Sequence, residues 1–168
     1  MKIEVLLSAV AVGLGATLVL DLWSLFLNRA FRIPLPDFCL LGRWLRHITG
    51  GTFKHANITA AARKPAECAT GWIAHYTIGV LFALGLVALA TPAWLQSPTL
   101  MPALLFGIVT VGFPFFILHP AFGLGIAASK TPDPLQARLR SLISHTMFGV
   151  GLYASALVLS FIAASPAG

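Results

Sequence analysis

Asp21, His75, His119 and His145 are the residues of this 168-residue chain whose types and spacing could do chemistry, because each stands in a different apolar stretch. Ionisable and imidazole groups inside a bilayer are expensive, so by default they mark a pathway or a site. Three imidazoles and a carboxylate suit zinc, iron or copper by ligand type. Opposed His pairs suit haem, for which a four-helix bundle is a fitting container. A proton relay needs only groups titrating near neutrality, which His supplies. The same four residues could instead bond helix to helix as a structural polar core. Glu67, His47 and His55 are secondary ligand candidates outside the four stretches. No His-x-x-x-His pair occurs and no Cys-x-x-Cys-His, so a transition metal or non-covalent haem is an expectation that rests on convergence of the four groups.

The elements that must position these residues are four spanning helices. Hydrophobic residues make up 58% of the chain and charged residues 10%, against about a quarter charged in soluble domains. Mean hydropathy is +0.88. Windows 5–27, 72–90, 101–126 and 142–164 have the length of roughly 20 residues that a hydrocarbon core requires, and Asp21 is the only formal charge within them. They are apolar on every face, unlike the alternating strands of a barrel, which leaves helices. Lys2 and Ala9-Val10-Ala11 resemble a secretory signal, but the cleavage-like residues come before the apolar run is complete. The expected fold is therefore all-α, a single transmembrane domain over 1–168 built as a four-helix bundle.

At 1.5 Å of rise per residue, each of the four polar groups lies roughly 5 to 10 Å in from the same-side end of its span. Gly13, Thr17, Asp21, Ser24 and Asn28 form one stripe, and Glu67, Gly71, His75 and Gly79 another. Ser141, His145 and Gly149 repeat the pattern, so small and polar residues together should face the interior. Pro114 and Pro120 flank His119, where a kink would free carbonyls. His75-x-x-x-Gly79-Val80 and His145-x-x-x-Gly149-Val150 match, and Leu20-Asp21 corresponds to Leu118-His119. Two parallel pseudo-repeated hairpins would give this pattern, as would glycine packing one turn from His.

Ten of the 11 cations fall in loop 28–71 or between spans three and four, and only Lys2 lies on the other side. The positive-inside rule makes that side cytoplasmic and turns both termini outward. The net charge of +6 then reflects this asymmetry and attraction to anionic lipid, without nucleic acid. Cys39 and Cys68 share the cytoplasmic side, where thiols stay reduced, so no structural disulfide is expected.

Asp37 should cap a loop helix with Phe38, Leu41, Trp44, Leu45 and Ile48 on one face, opposite Arg43, Arg46 and His47. This amphipathic helix either lies in the headgroup plane or packs across the bundle's end. Pro65 restarts the chain before span two, and Asp133-Pro134 with Gln136 signals a capped helix over 134–164. Gly123, Gly125, Ser129 and Lys130 suggest phosphate binding, but the spacing is wrong for a P-loop and no strand precedes it, so the stretch reads as the exit of helix three. Arg43, Arg46, Arg138 and Arg140 could hold a lipid phosphate for hydrolysis, yet there is no nucleophile motif and no paired acidic motif. No catalytic residue is assigned.

Asp21-Leu22-Trp23, Gly42-Arg43-Trp44-Leu45-x-His47, Phe53-x-His55, Gly71-Trp72-x-x-His75-Tyr76, His119-Pro120-Ala121-x-Gly123-x-Gly125 and Ala137-Arg138-Leu139-Arg140-Ser141, followed by His145, form a specific set. By these motifs the chain resembles a family of small bacterial inner-membrane proteins defined by an uncharacterised domain, over roughly residues 13–159. The resemblance implies a multi-span membrane protein and supplies no cofactor, substrate or catalytic residue. Two function classes remain: an intramembrane Asp/His site handling metal, haem or protons, and a non-catalytic partner or assembly subunit in a homo-oligomer or larger membrane complex.

Overall fold

The computed structural model describes residues 2–164 and is built from helices and their connections over that range. Met1 and residues 165–168, which the expected domain 1–168 includes, lie outside the described residues. The helices are α1 (Ile3–Phe31), α2 (Phe38–Ile48), α3 (Glu67–Ala90), α4 (Leu100–Val109), α5 (His119–Phe122) and α6 (Pro134–Ala164). Four segments are long and apolar enough to cross a membrane: Ile3–Phe31, Glu67–Ala90, Leu100–Phe122 and Pro134–Ala163. The third ends at Phe122 rather than at 126, because Gly123 takes a left-handed φ of 88° and terminates the helix.

Sequence signals account for most of the boundaries. Asp37 accepts a bond from the Cys39 N–H at 2.9 Å and starts α2, and Asp133 accepts one from the Gln136 N–H at 3.0 Å at the head of α6. Between α4 and α5 the chain makes a π-helical turn over Pro114–Leu118, in which the His119 N–H reaches back five residues to the Pro114 carbonyl. Pro114 and Pro120 supply no N–H to the ladder, so the usual four-residue bonds are interrupted on both sides of His119.

The chain forms two compact units, and two of the four divisions between them fall within α3 and α6. The first comprises Met1–Ile33, Tyr76–Thr110 and Ser144–Gly168. In it α1 meets α3 where a Cβ on Gly13 would fall 2.6 Å from Val80 Cα, and α4 meets α6 where one on Gly107 would fall 2.5 Å from Gly149 Cα. Phe82 of α3 touches Phe106 of α4, and Gly151 of α6 lies against Ala16 of α1, which closes the ring of four helices. Val12, Ala83, Leu86 and Leu152 fill its core. Gly79 and Gly149, the glycines of the two matching motifs, both sit at helix contacts. Without Cβ atoms the backbones approach closely, which is how helices associate where apolar burial offers no drive.

The second unit comprises Pro34–His75 and Val111–Ile143. Here α2 crosses the first turns of α3 so closely that a Cβ on Gly42 would strike the Glu67 carbonyl and one on Gly71 the Phe38 carbonyl. This crossing overturns two expectations. Cys39 and Cys68, each three residues before one of those glycines, are brought to a Cα–Cα distance of 3.9 Å and form a disulfide. Arg43 does not belong to a solvent-facing stripe: it is 6% exposed and paired with Glu67, which is 8% exposed. The loop that follows is pinned by Trp44 Nε1 donating to the Phe53 carbonyl at 2.7 Å and by the His55 N–H donating to Ala121 at 2.8 Å.

Candidate functional site

Each of the four candidates from the apolar helices has an identified neighbour. In the first unit, Tyr76 of α3 donates its hydroxyl to Asp21 Oδ2 of α1 at 2.9 Å. His145 Nδ1 of α6 lies 2.8 Å from Thr110 Oγ1 at the end of α4. The Thr110 hydroxyl donates to the Gly107 carbonyl at 2.5 Å. With the single Thr110 proton on the Gly107 carbonyl, it is a protonated Nδ1 of His145 that matches the Thr110 oxygen. In the second unit, His75 stacks on Phe38 with ring centroids 3.9 Å apart, and His119 lies 5.8 Å from Phe115. His119 Nδ1 is buried with no hydrogen-bond partner among the described residues.

The secondary candidates belong to the loops of the second unit. Glu67 receives Arg43 in bidentate fashion, with Nε to Oε2 at 2.9 Å and Nη2 to Oε1 at 2.7 Å, and its Oε2 also accepts the Lys64 N–H at 2.9 Å. The remaining Arg43 donor, Nη1, faces the carbonyls of Ile58, Thr59 and Ala61 at 3.2 to 3.4 Å. The bond to Glu67 holds the Arg43 guanidinium above its ordinary pKa. A guanidinium whose three nitrogens all donate gathers the loop around itself as a structural centre. His47 donates from Nε2 to the Ala62 carbonyl at 2.9 Å, and its ring meets His55 edge-on with centroids 4.8 Å apart. Burial, then the neighbouring His47, pushes His55 below the usual imidazole pKa, so its ring is neutral at pH 7. Both ring nitrogens of His55 are buried without a hydrogen-bond partner among the described residues.

Among the described residues, no three His, Cys, Asp or Glu side chains are grouped so that they could hold a metal ion. The hydroxyls of Tyr76 and Thr110, which engage Asp21 and His145, were outside the sequence-derived set. Their signal was present: Thr110 is the one hydroxyl in the apolar run from Met101 to Leu118, Tyr76 adjoins His75, and hydroxyls in such surroundings seek a polar partner. Also outside the set was Lys54, which joins His55, Gly123, Gly125, Ser129 and Lys130 around a cavity of about 370 Å³ in the second unit.

No curated protein and no solved structure matches the chain. A family model described as "Protein of unknown function (DUF2938)" matches residues 10–159, a stretch that contains every motif from Asp21 to His145. With four apolar helices of spanning length and a match over most of its residues, the chain belongs to the DUF2938 family of proteins of unknown function.

Proposed function

We propose that this chain is a non-catalytic multi-pass component of a bacterial inner membrane, a partner or assembly subunit in which Asp21 and His145 join helices. The observation that carries the reading is that each of these two groups is bonded to a neutral hydroxyl on a neighbouring helix, Asp21 to Tyr76 and His145 to Thr110. The excess of cations in loop 28–71 and between spans three and four supports a cytoplasmic placement of those loops, with both termini outside. Native electrophoresis of gently solubilised membranes tests the assembly role, alongside metal analysis and an absorption spectrum of the purified protein. A species larger than the purified chain should persist in Asp21→Asn and His75→Ala variants. Stoichiometric metal or a haem band that vanishes in a His75→Ala, His145→Ala double variant would sink the proposal.

A second reading, proton transfer at His119, is favoured by one observation: the imidazole follows a π-helical turn, and its Nδ1 has no hydrogen-bond partner among the described residues. Such turns recur at functional sites. Proton flux into vesicles holding the protein, abolished by His119→Gln, is the result this reading requires.

A further inference from the structure

The Gly-rich stretch after the third span fails as a P-loop, yet in the folded chain it is one wall of a cavity whose other wall comes from residues 54–56. Lys54, His55 and Ala56 face Pro120, Gly123, Gly125, Ile126, Ser129 and Lys130 across about 370 Å³. Two lysines and a serine hydroxyl line it, and no carboxylate does. Among the described residues, neither lysine side chain has an ion-pair partner. The walls meet because Gly123, at φ 88°, has no Cβ; one placed there would run into the Ala56 carbonyl.

The charge balance of the surrounding unit points the same way. It holds eight cations, Arg43, Arg46, Lys54, Arg63, Lys64, Lys130, Arg138 and Arg140, against three carboxylates, Asp37, Glu67 and Asp133. Each carboxylate is already engaged: Glu67 by Arg43, Asp37 at the head of α2 and Asp133 at the head of α6. Among the described residues of this unit, no carboxylate is left over for Lys54 and Lys130. Residues 123–130 directly follow the apolar helix that ends at Phe122, which sets this wall where a spanning helix leaves the hydrocarbon. Basic pockets at that level take lipid headgroups.

We propose that this cavity is a binding site for a phosphate-type anion, held by Lys54 and Lys130 with the Ser129 hydroxyl, and supplied by a phospholipid headgroup or by free phosphate. The lysines neutralise the anion as point charges, and Ser129 is the one hydroxyl in the lining. The apolar atoms of Pro120 and Ile126 suit the uncharged part of a headgroup.

The test uses the full chain in mild detergent, titrated with short-chain phosphatidylglycerol, short-chain phosphatidylcholine and inorganic phosphate. Phosphatidylglycerol should bind more tightly than phosphatidylcholine. A Lys54→Gln, Lys130→Gln double variant should lose about 30-fold in that affinity, near the value for two interfacial lysines. Arg63→Gln removes a cation of the same unit outside the cavity and should change affinity less than about twofold. Lys54→Arg with Lys130→Arg should restore binding and thereby show that the loss reflects charge and not misfolding. If inorganic phosphate displaces the lipid at millimolar concentration, the free anion is the occupant; if only phosphatidylglycerol binds, it is the headgroup. Both results uphold the anion site. Equal losses in the double variant and in Arg63→Gln, or no binding of inorganic phosphate together with no discrimination between the two lipids, would overturn it.

Discussion

The two compact units solve the same problem, polar groups in an apolar chain, by opposite means. In the first, Asp21 and His145 meet the neutral hydroxyls of Tyr76 and Thr110, and glycines let the helices close around them. In the second, Arg43 meets Glu67 charge to charge, main-chain carbonyls fill the remaining donor, and a disulfide ties the same two helices together. The contrast follows from what each segment can supply. Apolar helices offer an isolated hydroxyl here and there and a backbone already satisfied by its own ladder. A loop of irregular backbone offers carbonyls that need donors, and an arginine with five donors is suited to collect them.

The comparison breaks most severely if Glu67 is removed. A Glu67→Ala variant leaves Arg43 buried without its counter-charge, and the expected loss is about 3 to 5 kcal/mol, read as a lowered midpoint of unfolding in detergent. Replacing the pair together with Met and Leu should recover only part of that loss: no unpaired charge is buried, but the carbonyls of Ile58, Thr59 and Ala61 and the Lys64 N–H still lose their partners. If the single and paired variants melt alike, the ion pair is not the centre of the second unit.

The next effect in size belongs to Cys39 and Cys68, which enclose a sequence separation of 29 residues. Reduction of the oxidised protein, or Cys39→Ser with Cys68→Ser, should cost about 2 to 4 kcal/mol in this unit, and reductant should leave the double variant unaffected. The same cysteines test the orientation. With the cationic loops in a reducing cytoplasm, both thiols react in intact cells with a membrane-permeant maleimide and with none that is impermeant. A disulfide that survives in cells until reductant is added would place those loops on the oxidising side and reverse the orientation.

Within the first unit, Gly107→Ala should cost about 1 to 3 kcal/mol, because the new methyl must displace the Gly149 backbone. The smallest effects sharpen the comparison instead of breaking it. Tyr76→Phe and Thr110→Val each remove one interhelical bond and should cost about 0.6 kcal/mol, well under the loss from Glu67→Ala. A loss several times larger in either variant would show that Asp21 or His145 depends on its hydroxyl as strongly as Arg43 depends on Glu67.

Spans, caps and breaks were legible in the sequence because each depends on local chemistry. Apolar length announced the four helices, and Asp37 and Asp133 announced the starts of α2 and α6. The rise per residue gives Asp21, His75, His119 and His145 an expected depth, but depth does not say which side chain a residue meets. Tyr76 lies one residue beyond His75, outside the stripe that His75 occupies, and only the meeting of α1 and α3 brings it to Asp21. Arg43 looked like a solvated charge because its partner stands 24 residues away. The disulfide was set aside on compartment grounds, and the close crossing at Gly42 and Gly71 has no signature in the hydropathy pattern. Lys54 has no sequence signal of its own, because loop geometry alone brings it to the Gly-rich stretch.

The π-helical turn at Pro114–Leu118 has an evolutionary reading. Such a turn is an α-helix that has accepted one residue more than its register allows, so removal of a single residue there would restore the four-residue register except for the bonds that the prolines cannot make. Everything downstream would then swing by about 100°, and the position of His119 would point to a different side. Relatives that carry a one-residue gap at this place are expected to lack a histidine at the matching position, or to have moved it by one.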